Sequence, residues 1–326
     1  MKIVLDLTKL VKQGKLTAAQ AEELRLHAAR DTGLMAINIL LAFGTIAVAA
    51  GVLLLVPSLP TALAIAGLLI AGGLALFYGA GPQWTILGTA TIIIGVMWLS
   101  AVGIGYADGR WYAYAIAAAQ FLGCAAAIRS SLLSALAALA LAAALGSGTA
   151  YETATYILIV QQPTLTIVSF GLLAWIAYLI AQRTSPDYEP LALNFARISL
   201  VLVNFGFWCG SLFGDSPGKG WLWQADSTPP VHLPDLVFVI AWAIGLIGVG
   251  FWAARANRRF VVNLAAVFFA IDFYTQWFER LGAKPLSITL GGLLVIASAM
   301  VLWRYNAAPR PPAGPRAATS SPQAGP

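Results

Sequence analysis

The chain has 326 residues, of which 60% are hydrophobic and only 10% charged, with a mean hydropathy of +0.80, whereas soluble domains carry about 25% charged residues. A water-soluble fold of this make-up would have too little polar surface to cover itself. The formal charge of +6 is dispersed among the ends of apolar runs, which argues against the clustered basic face that binds nucleic acid.

The first 33 residues read as a small amphipathic hairpin on the cytoplasmic side. Leu5, Leu7, Leu10 and Val11 form an apolar stripe at helical spacing, and Gly14 is placed to end that helix because it tolerates the left-handed conformation. Thr17 and Gln20 have the spacing of a capping box, in which hydroxyl and carboxamide satisfy each other's exposed backbone N–H groups. A hairpin this short has no core of its own and needs the membrane surface, the bundle, another copy or another protein as its partner, so Leu10, Gly14, Thr17 and Gln20 mark a docking element. Thirty-three charged, helix-patterned residues precede the first apolar run, unlike the short basic start of a cleavable signal. That run is expected to stay as an anchor.

Ten stretches then qualify as membrane spans, at 34–56, 62–78, 84–102, 111–128, 132–149, 164–181, 195–213, 236–254, 260–278 and 286–303. Each approaches the roughly 20 apolar residues that cross a hydrocarbon core about 30 Å thick. The expected fold is therefore all-α: a polytopic helical bundle over residues 34–303, preceded by the hairpin. Pro57, Pro60, Pro82, Pro163, Pro186, Pro234 and Pro285 are placed in the gaps, since proline cannot continue a helix. Trp84, Trp111, Trp221, Trp223 and Trp303 lie near span ends, where amphipathic rings favour the headgroup zone. Residues 151–162 read as an outer interfacial segment, and 214–234 as the longest outer loop. The tail, 304–326, is rich in Pro, Ala, Gly and Ser and is expected to be disordered.

Orientation follows from the basic residues. With the N-terminus in the cytoplasm, four of the 19 Lys and Arg, namely Arg110, Lys219, Arg280 and Lys284, fall outside, and the other fifteen fall inside. This bias is that of the positive-inside rule and puts both termini in the cytoplasm.

Few side chains offer chemistry. Asp272 is the one acid well inside a predicted span, and an intramembrane ionisable group marks a functional site by default. At 100° per residue, Gln276 and Glu279 extend its polar stripe, while Arg197, Asn204 and Ser211 share a face of the seventh span at heptad spacing. Asp272, Gln276, Arg197 and Asn204 form the candidate polar site; interhelical hydrogen bonding is the simpler role for such groups, transport of a solute or proton the functional one. Gly67 with Ala71 reads as close helix packing, and Gly72-Gly73, Gly103, Gly105 and Gly291-Gly292 as either packing or broken helices. Gly214, Gly218 and Lys219 lack the spacing and the Ser or Thr of a phosphate loop. His27 and His232 are the only histidines, and they make no metal-ligand pair with Cys124 or Cys209. No cofactor and no catalytic residue is expected, so an enzyme is the least favoured reading. An outer-face lipid-processing activity would have to use Asp215, Asp226 and Asp235.

The run from Leu10 to Ala21, directly followed by serial spans, together with Arg259, Asn263, Phe268-Phe269, Asp272, Phe278 and Gly291-Gly292, resembles a family of bacterial multi-pass membrane proteins described as a domain of unknown function. The resemblance covers the chain except its tail and implies an inner-membrane location without assigning an activity. The arginine that often precedes the aromatic at Trp277 in that family is Gln276 here.

Overall fold

The computed structural model describes residues 17, 20, 37 and 40–307, except 153–154, 218, 221–222, 225–231 and 283. Leu10, Gly14 and the rest of the hairpin apart from Thr17 and Gln20, as well as Trp221, Asp226 and the tail beyond residue 307, lie outside the described residues. Ten apolar helices are present among them: α1 (Leu40–Leu55), α2 (Leu59–Gly79), α3 (Thr85–Tyr106), α4 (Trp111–Ile128), α5 (Ser131–Ala144), α6 (Pro163–Arg183), α7 (Glu189–Phe213), α8 (Asp235–Arg255), α9 (Arg259–Leu281) and α10 (Pro285–Ala307). Eight are long and apolar enough to cross a membrane; α1 and α5 are shorter. The protein is an all-α polytopic bundle, with two short β-ribbons in its connections.

Three expectations are corrected. Pro60, Pro163 and Pro285 stand in the first turns of α2, α6 and α10 rather than in gaps, because the missing N–H of proline is one that a first turn leaves unbonded anyway. The fifth span does not reach residue 149. Helix α5 stops after 14 residues, about 21 Å of rise, where Gly146 turns left-handed at φ 76°. Residues 147–160 then form two paired strands, β1 (Ser147–Glu152) and β2 (Thr155–Val160). Finally, α10 runs to Ala307, past the expected start of the tail.

The chain divides into two compact units, residues 1–159 with 173–198, and residues 160–172 with 199–326. In the first unit, α2 and α3 meet backbone to backbone. A Cβ on Gly88 would stand 2.8 Å from Phe77 N and 2.9 Å from Gly73 O, and one on Gly95 would stand 2.8 Å from Ile70 Cγ1. Gly67, expected at such an interface, has nothing within 4 Å; the close approach uses Gly73, Gly88 and Gly95 instead. Alanines do the same for α4 and α5, where Ala117, Ala118, Ala125, Ala137 and Ala138 are buried. Small residues suit a solvent as apolar as leucine, in which helices gain little except close van der Waals contact. Side chains also link helices in this unit. Ser100 Oγ donates to Gln120 Oε1 at 3.0 Å, Ser134 Oγ to the Leu191 carbonyl at 2.8 Å, and Tyr78 Oη to the Ala127 carbonyl at 2.7 Å.

Arg129 pairs with Asp187 at 3.0 Å and lies 5.6 Å over the Tyr188 ring, so the α4–α5 and α6–α7 turns share one end of their unit. In the second unit, the Thr164 N–H meets Asp215, so the connections before α6 and after α7 share an end as well. Both pairings are those required when successive helices run in opposite directions.

Candidate functional site

The second unit is built around aromatic rings. Trp242 and Phe268 are buried with Leu246 and Ala265, and Phe205, Phe207, Trp208 and Ile271 pack against them. Phe207 stacks on Trp242 with centroids 6.3 Å apart, and Phe205 meets Phe268 edge to face at 5.7 Å. The indole of Trp242 donates to Asn204 Oδ1 at 2.9 Å, and Asn204 Nδ2 donates to the Leu200 carbonyl at 2.8 Å. Asn204 therefore serves as a helix-to-helix link between α7 and α8.

Asp272 sits on α9 one turn beyond Phe268 and is 5% exposed. Its Oδ1 is buried without a hydrogen-bond partner, as is Gln276 Nε2 on the next turn of the same helix. The expected stripe thus exists on α9, but Asn204 and Ser211 are bonded elsewhere: Ser211 Oγ donates to the Trp208 carbonyl at 2.8 Å. Arg197 belongs to the first unit, whereas Asp272, Gln276 and Asn204 belong to the second. Helix α7 starts at Glu189 rather than at 195, so Arg197 lies two turns inside it and is exposed.

A third group was not evident from sequence. Antiparallel packing of α7 on α8 and α8 on α9 makes α7 and α9 parallel, and Phe205 lies against Phe268. Three residues on, Trp208 and Ile271 pack into the same core, bringing Trp208 to the level of Asp272. Trp208 Nε1 is also buried without a partner. Trp208 looks like one more aromatic in an apolar run, and only the register between α7 and α9 reveals it.

At the end of this unit, Asp215 Oδ2 accepts from the Thr164 N–H at 2.9 Å, capping α6 from a distant part of the chain. Asp215 and Leu233 exchange backbone bonds of 3.0 and 2.8 Å, closing the base of the 214–234 loop. Gly214, at φ 67°, permits this: a Cβ there would be 2.7 Å from the Leu233 carbonyl oxygen. Farther out, Lys219–Gly220 pairs with Trp223–Gln224 in a short ribbon. His232 is exposed and its Nδ1 shares a 3.2 Å hydrogen bond with Ser216 Oγ. Among the described residues no group of three or more His, Cys, Asp or Glu is placed to hold a metal ion. No protein-family model, no curated protein and no solved structure matches the chain.

Proposed function

We propose that this is a bacterial inner-membrane protein, with both termini cytoplasmic and no catalysis of its own, whose N-terminal segment docks a protein partner or a second copy. The observation that carries this reading is the capping box. Thr17 N donates to Gln20 Oε1 at 3.0 Å and Gln20 N to Thr17 Oγ1 at 3.2 Å, both exposed. The sequence around this cap is charged and amphipathic and precedes the first apolar helix, a pattern that suits a water-facing element with a partner over its apolar stripe. The resemblance to the bacterial family and the distribution of basic residues support the location and orientation. Deleting residues 1–30 tests it: the reading expects the truncated chain to insert and fold while losing its native assembly mass in detergent and its cross-links in membranes. Unchanged mass and cross-links would remove it.

A second reading, transport of a proton or small solute through the bundle, is favoured by the unpartnered Asp272 Oδ1 and Gln276 Nε2. Buried polar atoms without partners are costly in lipid, and a transported group would satisfy them in passing. Proteoliposomes under an imposed potential should dissipate a pH gradient with the native chain and not with Asp272→Asn. Equal rates for the two would leave Asp272 as a structural group.

A further inference from the structure

The end of the second unit that carries Asp215 holds a cavity of about 200 Å³, lined by Gln161, Asp215, Ser216 and His232, with Cys209 and Phe213 in its walls. Asp215 is 7% exposed, so the cavity contains a nearly enclosed carboxylate. Its bond to the Thr164 N–H and the backbone bonds to Leu233 fix its position. A helix N-terminus supplies only about half a positive charge.

This wall selects its ligand by charge. An anion would face the carboxylate, and an apolar ligand would bury it uncompensated, which is costly. A metal ion is disfavoured because no group of three or more ligating side chains is gathered there. A primary ammonium carries three donors and no acceptor. It meets acceptors here in the Asp215 carboxylate, the Gln161 carboxamide and the Ser216 hydroxyl. Phe213, the last residue of α7, is 81% exposed at the rim, where the chain leaves its apolar helix; the opening is thus at headgroup depth.

We infer that this cavity binds a small primary ammonium, and that the ethanolamine headgroup of a phospholipid is its source. Which leaflet supplies the lipid rests on the orientation proposed above; recognition of the ammonium does not, and labelling of the turns tests the orientation separately.

Thermal unfolding of the full chain in detergent, titrated with short-chain phosphatidylethanolamine, short-chain phosphatidylglycerol and free ethanolamine, tests the inference. The native chain should be stabilised by phosphatidylethanolamine at concentrations about tenfold below those needed for phosphatidylglycerol, the equivalent of one charged contact. Asp215→Asn keeps an oxygen to cap α6 but loses the charge, and should abolish that preference. Ser216→Ala, which leaves the cap untouched, should weaken it by about threefold and serves if Asp215→Asn fails to fold. Equal stabilisation by free ethanolamine and the lipid would keep the ammonium site but assign it to a soluble amine, overturning the headgroup source. No response to either amine, equal response to both lipids, or full preference in a folded Asp215→Asn chain would overturn the inference.

Discussion

The two units solve the same packing problem with different residues. In the first, helices approach through Gly73, Gly88, Gly95 and a series of buried alanines, and among the described residues only Trp98 Nε1 is a buried side-chain polar atom without a partner. In the second, aromatic rings fill the space between α7, α8 and α9, and among the described residues six buried polar atoms are left without partners, on Gln162, Thr164, Ser199, Trp208, Asp272 and Gln276. Close backbone contact leaves no room for a ligand. Bulky rings leave irregular gaps beside polar groups, so the candidate sites lie in the second unit while the first reads as scaffold.

Substitutions sharpen this contrast. The largest effect is expected at Gly88→Ala, whose new methyl meets backbone atoms of Phe77 and Gly73 that cannot rotate away. Overpacking of this kind costs about 1–3 kcal/mol, measurable as earlier unfolding in a detergent titration. Gly67→Ala is the control. With open space around it, it should be neutral or slightly stabilising, since alanine is the better helix former by about 1 kcal/mol; equal losses at both positions would end the scaffold account.

In the second unit, Asn204→Leu removes the acceptor of the Trp242 indole and should cost about 0.6–2 kcal/mol, with a matching change in indole fluorescence that Trp242→Phe abolishes. Asp215→Ala should cost about 1 kcal/mol, the usual value of a helix cap, and Asp215→Asn much less; identical losses would show that the Thr164 bond does not act as one. The smallest effect is expected at Asp187→Ala. Arg129 and Asp187 are both more than half exposed, and such pairs contribute about 0–1 kcal/mol.

Much of this fold was legible in the sequence because lipid imposes a simple rule on helices. Span four, 111–128, agrees residue for residue with α4, and spans six, eight, nine and ten agree within a few residues. The fifth failed because an Ala- and Leu-rich run continues into Gly146 and Ser147 without a charge to mark the stop; a single left-handed glycine ended the helix where hydropathy alone did not. The glycine contacts were misassigned for a related reason. Spacing places Gly67 and Ala71 on one face, but which face meets a neighbour is a tertiary fact.

The candidate sites were less legible. A lone acid in an apolar run identifies Asp272, yet nothing local distinguishes Trp208 from the other tryptophans, or joins Asp215 to a helix that begins some fifty residues earlier. Those relations arise from helix register and loop closure. The hydrogen bonds of Thr17 with Gln20, by contrast, were readable directly because they are local.

The central proposal is that the ten apolar helices, eight of them long enough to cross a membrane, alternate through a bilayer with the arginine-bearing turns on one side. Its most direct test is labelling of single cysteines, in a chain whose Cys124 and Cys209 are replaced by alanine, with a reagent that cannot cross the membrane that holds the protein. Under the proposed orientation Asp108→Cys and Lys284→Cys should react from the outer side, and Ser185→Cys and Asn257→Cys only after the membrane is opened. Labelling of Asp108→Cys and Asn257→Cys from the same side would contradict it.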